Sequence, residues 1–499
     1  MPESSSFFKL RKSKLFVLVG VASTLLIQTA ILVSKNASFQ SHFLFGLLFF
    51  LIVFLVLFYL RRIWSGVTRD PLLIYSAFFL LNYYYSTLYM MVRHEDGSNR
   101  IFDYLPESTE IPVVICIIGY LAFYIGYSCL SFLNKKSLAA RDYSVKQRNA
   151  LSFSPYLFFS VGAFLAILKL YMLSVGMIGS VVGFSGKEGF GGNLVLSIFR
   201  PLVYLGPVFI AYFSIRVFRD GKYRVLLLAI LFLEVSSSLI AGDRRYLLYY
   251  FIIVITIAYS YNFKISNNKF FFLSVIVFSV VVFSFGTALN NFINATSGHG
   301  NLNYVSVVRN VFGNATIFFN SEFFAWIVDN FFATFNQLYL IDSAHRIYEQ
   351  GYTYPVPPIL VYTANLLPFS KELGLDIITA SELQYPLFKA SLHTSGADPY
   401  LTLPQLAESY TASGYLGVVF YSFFYGILSF MIFKLSFRSS IYMLWYFSFY
   451  PFLSFGFIMS LSGALVFPLK VLVMLLFCSL VSIFLSQVSS SSKQIKQTN

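Results

Sequence analysis

The chain has 499 residues, of which 57% are hydrophobic and only 11% charged, with a formal net charge of +14. A soluble domain carries about 25% charged residues, so a water-soluble fold is excluded. The basic excess does not mark a nucleic-acid binder either, because the charges sit mostly in short connectors between apolar segments.

A membrane span needs about 20 mainly apolar residues. In chain order the sequence predicts spans at 15–33, 43–60, 71–92, 111–133, 155–175, 198–218, 223–241, 244–261, 270–289, 414–434, 441–460 and 464–485. The first is long enough to span and is followed by many others, so no cleavable leader is expected. Of the 35 Lys and Arg residues, 22 fall in connectors on one side, including Lys9, Arg61, Arg62, Lys135, Arg216, Lys264, Lys434 and Lys493. That side is the expected cytoplasm, with both termini inside. Cys116, Cys129 and Cys478 lie within apolar segments and lack a CxxC or His-rich partner, which speaks against a disulfide framework or a zinc site.

Three regions follow: residues 1–289 with nine spans, one large external loop at 290–413, and residues 414–499 with three spans and a cytoplasmic tail. The loop holds nine acidic and four basic residues, the reverse of the cytoplasmic connectors, and its Pro-rich middle "YTYPVPPILVYTANLLP" cannot be a regular helix. Residues 323–341 are long enough to cross. However, Asp329, Asn330, Asn336 and Gln337 recur near helical spacing, so an amphipathic helix at the outer interface is expected there. The external "GFSGKEGFGG" at 183–192 lacks the GxxxxGK[ST] spacing and reads as a flexible loop.

Ionisable groups inside spans are costly and are usually paired or functional. Lys169, Glu234, Lys470, Arg200, Arg244 and Arg245 all fall near one depth, just beneath the outer surface. A lysine near a helix end can snorkel to the interface, and Glu234 could instead neutralise one of these cations. Arg244 and Arg245 break the rule that short external loops carry few basic residues. They open a predicted helix behind Asp243, its expected N-cap. Two forked donors at a helix N-terminus suit phosphate oxygens, and a phosphorylated lipid headgroup would satisfy them.

The stretch "LPQLAESYTASGYLGVVFYSFFYGIL" (403–428) resembles the end of the large periplasmic loop in bacterial O-antigen polymerases, the oligosaccharide repeat-unit polymerases. There a polar segment with Glu, an aromatic and a G-x-x-G turn leads into the next span. "HRIYEQGYTYPVPPILVYTANLLP" (345–368) resembles that family's G-x-x-Y…P loop, and "AGDRRYLL" (241–248) its G-x-R junction. The resemblance covers most of residues 200–430. The signature of some members, a loop arginine followed after ten residues by glycine, is absent.

The resemblance implies an all-α, GT-C-like polytopic membrane protein of about 12 helices in a bacterial inner membrane, working at its periplasmic face. It implies a glycosyltransferase that moves a growing glycan from undecaprenyl diphosphate onto an undecaprenyl-diphosphate-linked repeat unit, without metal or cofactor. Its partners would be that lipid-linked oligosaccharide and membrane lipid, with a chain-length regulator protein as a further partner class and no nucleic acid. The departing diphosphate needs preplaced cations, assigned to Arg244 and Arg245 with help from Arg200 and Arg346. The attacking acceptor hydroxyl needs a base: Glu408 first, with His393 and His345 as alternatives. Tyr352, Tyr354, Tyr400 and Tyr410 could stack on sugar faces.

Two rivals share the layout. A lipid-linked oligosaccharide flippase would fit buried charges, although repeated halves and short loops are expected of it and neither occurs here. The ligase that attaches finished O-antigen to lipid A shares both chemistry and architecture with the polymerase.

Overall fold

A computed structural model describes residues 71–86, 110–133, 155–174, 202–203, 205–220, 222–241, 250, 253–254, 338–351, 404–436, 438, 440–455, 468–481 and 483–484. Helices dominate, and no strand occurs among the described residues. They are α1 (Pro71–Leu80), which continues as a π-helical turn (Leu81–Tyr85), α2 (Glu110–Leu133), α3 (Pro155–Ser174), α4 (Gly206–Asp220) and α5 (Arg224–Ala241). Further along come α6 (Leu338–Glu349), α7 (Gln405–Leu435), α8 (Ser440–Phe455) and α9 (Pro468–Val481). Pro71 and Pro155 open their helices, where a missing N–H costs nothing and the fixed φ is already helical.

Three of these helices, at Glu110–Leu130, Tyr156–Leu173 and Gln405–Leu435, are long and apolar enough to cross a membrane. Their outward faces carry large apolar side chains, among them Ile125, Phe164, Ile167, Leu416 and Phe420. Apolar surface on this scale suits lipid rather than water. The protein is a helical membrane protein on this evidence.

The packing sets the relative direction of each helix. Tyr75 stacks on Phe123 at a centroid distance of 3.5 Å and Phe79 meets Tyr120 at 5.3 Å, so α1 and α2 run antiparallel. Val418 lies at Gly119, and Phe430 meets Tyr127 at 5.3 Å. Residue numbers rise together along this pair, so α2 and α7 run parallel. α3 runs antiparallel to α4, with Phe158 on Tyr212 and Leu165 on Gly206. It runs parallel to α5, through Gly162 on Ile230 and Lys169 on Glu234. Tyr212 on α4 donates to the Leu444 carbonyl and bonds Ser448 on α8 at 2.7 Å, which ties the α3–α5 group to the rest.

The α2–α7 crossing depends on missing side chains. A Cβ on Gly426 would overlap the Phe123 carbonyl, and one on Gly126 would overlap the Phe423 carbonyl. Small residues let helices approach in lipid, where dispersion and not hydrophobicity drives association. The obstructing atoms are backbone and cannot rotate away. Gly426→Val is therefore expected to destabilise the full chain by about 3 kcal/mol or more, read as a fall in melting temperature in detergent. An unchanged melting temperature would mean that the two helices separate at no cost.

α7 is not one straight rod. Ser413 (φ −159°, ψ 29°) and Gly414 (φ 59°, ψ −143°) leave helical geometry. The Ser409 carbonyl lies against Gly417, eight residues on, whereas in a straight helix that separation is about 12 Å. Leu406 and Val418 both reach Gly119. Residues 405–412 therefore form a short arm folded back beside the start of the span. Gly414 supplies the left-handed φ, and Gly417 the room for the Ser409 carbonyl. The break falls where the sequence reading starts its tenth span, but the residues before it are helical and buried where that reading has a loop. From Tyr415 onward about 20 residues remain, enough for the hydrocarbon core.

Candidate functional site

α6 packs on α7, α2 and the π turn. α6 is amphipathic: Leu338, Leu340, Ile341, Ala344 and Ile347 are buried, at the i, i+3 and i+4 spacing of one helix face. That face packs on α2 and α7, so protein rather than a lipid surface covers it. The amphipathic helix expected at 323–341 shares only residues 338–341 with α6, and residues 323–337 lie outside the described residues.

α6 runs parallel to the arm, because His345 meets Tyr410 and Tyr348 meets Gly414. This register sets Asp342 and Ser343 level with Glu408. His345 Nδ1 lies 2.9 Å from the Tyr410 hydroxyl, and its Nε2 is 3.2 Å from Glu349 Oε1. The Glu349 side chain is 63% exposed while His345 is buried, so this line of groups leads from solvent into the protein. Arg346 Nη2 is 3.4 Å from Asp342 Oδ2. The Asp342 side chain is 4% exposed and that of Arg346 33%, so Asp342 holds a guanidinium that still reaches solvent. Tyr348 and Tyr415 pack edge-on against Tyr410 at 5.3 Å and enclose the bend.

Of the residues picked out from sequence, His345 and Tyr410 meet here, Arg346 follows His345 on α6, and Glu408 lies on the arm at the level of Asp342 and Ser343. Glu408 is only 3% exposed, and every residue of the arm from Gln405 to Thr411 is buried with it. Arg200, Asp243, Arg244, Arg245 and His393 lie outside the described residues, as do Tyr352, Tyr354 and Tyr400. Sequence reasoning passed over Asp342, Ser343, Gln405 and Asn82. The signal for Asn82 was a lone carboxamide within an apolar span, and Gln405 stood in the quoted stretch without a role.

A second polar group lies between α3 and α5. Lys169 Nζ is 3.2 Å from Glu234 Oε1 and 2.7 Å from Ser238 Oγ, and Ser238 donates to the same Glu234 oxygen at 3.1 Å. Lys169 is 0% exposed. The snorkelling expectation therefore fails for Lys169: its ammonium stays inside because Glu234 meets it there. Glu234 is the neutralising partner, and Lys169 is not one of a set of free outer cations. Lys470, on α9, is half-buried.

No family model, no curated protein and no solved structure matches the chain.

Proposed function

We propose that the protein is a bacterial inner-membrane glycosyltransferase that polymerises lipid-linked glycan repeat units at the periplasmic face. The observation that carries this reading is the folded-back arm. The stretch whose sequence resembles the repeat-unit polymerases (403–428) is the one that re-enters the bundle and brings Glu408 level with the polar residues of α6. The twelve-span, N-in and C-in topology belongs to the same proposal. The parallel course of α2 and α7 supports it, because spans of like direction are separated by an odd number of crossings, and the sequence reading has five. An additional span at 323–341 would make α7 antiparallel to α2.

The reaction needs two services. As the acceptor oxygen bonds to the anomeric carbon, the bond from that carbon to the diphosphate oxygen breaks and its electron pair leaves on the diphosphate. Arg346, with Arg244, Arg245 and Arg200, balances that charge, which is usually the largest catalytic term. Glu408, or a histidine, accepts the acceptor's proton. The Asp342 pair orients Arg346 so that its guanidinium presents a fixed fork.

In a deletion strain carrying the full chain, Arg244→Ala, Arg245→Ala or Arg346→Ala is expected to leave expression intact and shorten surface glycan to single repeat units. The Arg→Lys variants should recover only part of the length, because lysine lacks the fork. Wild-type chain lengths in all the alanine variants would remove the diphosphate role. Repeat units held on the cytoplasmic face in the deletion strain would favour a flippase, and the loss of all attached O-antigen would favour a ligase.

A further inference from the structure

Three buried side chains near the level of Glu408 have no hydrogen-bond partner among the described residues: Asn82 through Nδ2 and Oδ1, Gln405 through Nε2 and Oε1, and Ser343 through Oγ. Asn82 and Gln405 are 0% exposed and Ser343 2%. Buried polar atoms are overwhelmingly bonded, and each one left unmade costs about 1–3 kcal/mol. Five such atoms on α6 and on two elements that α6 packs against therefore call for a reason.

The three residues share one level of the bundle. The antiparallel register of α1 and α2, with Phe79 at Tyr120, sets Asn82 close to residue 117. Leu406, next to Gln405, reaches Gly119. Asn82 and Gln405 thus lie within about one helical turn of each other along the bundle axis. Ser343 is on α6, which packs on both the π turn and α7. Asn82 belongs to the π-helical turn Leu81–Tyr85, and single π turns are frequent at functional sites.

The chemistry of the set restricts its ligand. Each carboxamide offers two N–H donors and a carbonyl acceptor, and a serine hydroxyl offers both roles. None of the three is charged. The set itself therefore offers a phosphate no opposite charge. Neighbouring hydroxyl groups, each able to donate and accept, match the set. Tyr83 and Tyr84 follow Asn82 in the same π turn and are buried with it, and aromatic rings offer the flat apolar surface on which a sugar face packs.

We propose that Asn82, Gln405 and Ser343 form a subsite that hydrogen-bonds the hydroxyl groups of a glycan and seats the sugar at the level of Glu408, an assignment that rests on the polymerase reading. These are binding residues; none exchanges a proton with substrate.

The test uses the full chain in lipid nanodiscs. The probe is the repeat-unit oligosaccharide released by mild acid from the producing strain's own lipid-linked intermediate. Binding is followed by saturation-transfer NMR and by thermal shift. Wild type is expected to bind at millimolar concentration or below. Asn82→Leu and Gln405→Met should each weaken binding about tenfold or more, as expected for one or two lost hydrogen bonds. Their melting temperatures should hold or rise, because an unpartnered carboxamide becomes an apolar group of similar size. A structural role predicts the opposite, lower stability with binding kept.

Unchanged binding in both variants, or no binding by wild type at millimolar glycan, overturns the subsite. If Asn82→Leu does not fold, Gln405→Met and Ser343→Ala decide the matter. Extension of the intact lipid-linked intermediate is measured in parallel. Binding that depends on these residues without extension keeps the subsite and removes the polymerase reading; extension with variant-insensitive binding does the reverse.

Discussion

Glu408→Gln is expected to lower the rate of glycan extension by about 10²–10⁴-fold, the usual contribution of a positioned base, while the protein folds as before. Glutamine has nearly the same shape and still fills the buried place on the arm, where Glu408 is 3% exposed. What it cannot do is accept a proton from an attacking hydroxyl. The measurement is the initial rate on purified lipid-linked repeat unit, with melting temperature as the control for folding. His345→Gln is the paired variant. His345 sits between Tyr410 and Glu349, so its loss should lower the rate less than the loss of Glu408 if it only holds Tyr410 in place. A Glu408→Gln protein that extends glycan at the wild-type rate would take the base role from Glu408 and leave His345 and His393 to contest it.

Removing one member of the intramembrane ion pair should have the largest effect on stability. Glu234→Ala strands the Lys169 ammonium, fully buried between α3 and α5. Breaking a buried pair on one side costs about 3–5 kcal/mol, because the remaining charge has neither water nor partner. Replacing both partners together, Lys169→Met with Glu234→Leu, should restore most of that loss, since an apolar pair of similar volume needs no desolvation. The comparison is made on the full chain by thermal or denaturant unfolding in detergent. A double variant no more stable than Glu234→Ala would show that the pair matters beyond its own charge balance, for instance through Ser238, which bonds both partners.

The arginine and histidine candidates divide by what a sequence can express. Arg346 is conspicuous as one of four basic residues in a loop of acidic character, and its neighbour His345 as one of only five histidines in the chain. Both stand out by residue type alone, and both lie at the site. Ser343, Asn82 and Gln405 carry no such mark. Their interest comes from burial without a partner, which depends on how three helices meet. Lys169 illustrates the converse. Its position in an apolar segment is visible in sequence, but its partner lies 65 residues away on a parallel helix, and only packing decides between snorkelling and pairing.

The sequence by itself determined that this is a chain of apolar helices for a membrane, because hydropathy is a local property: about 20 consecutive apolar residues meet the lipid whatever their neighbours do. The outer location proposed for the 290–413 loop rests on a local signal of the same kind, the bias of basic residues toward the other side. Tertiary structure decided the rest. The reversal at Ser413–Gly414 needs Tyr348 against Gly414 and the Ser409 carbonyl against Gly417. The close α2–α7 crossing needs two glycines far apart in the chain, Gly126 and Gly426, to meet facing backbone. These are contacts between distant residues, and no run of residues, however patterned, encodes the distance between two points hundreds of positions apart.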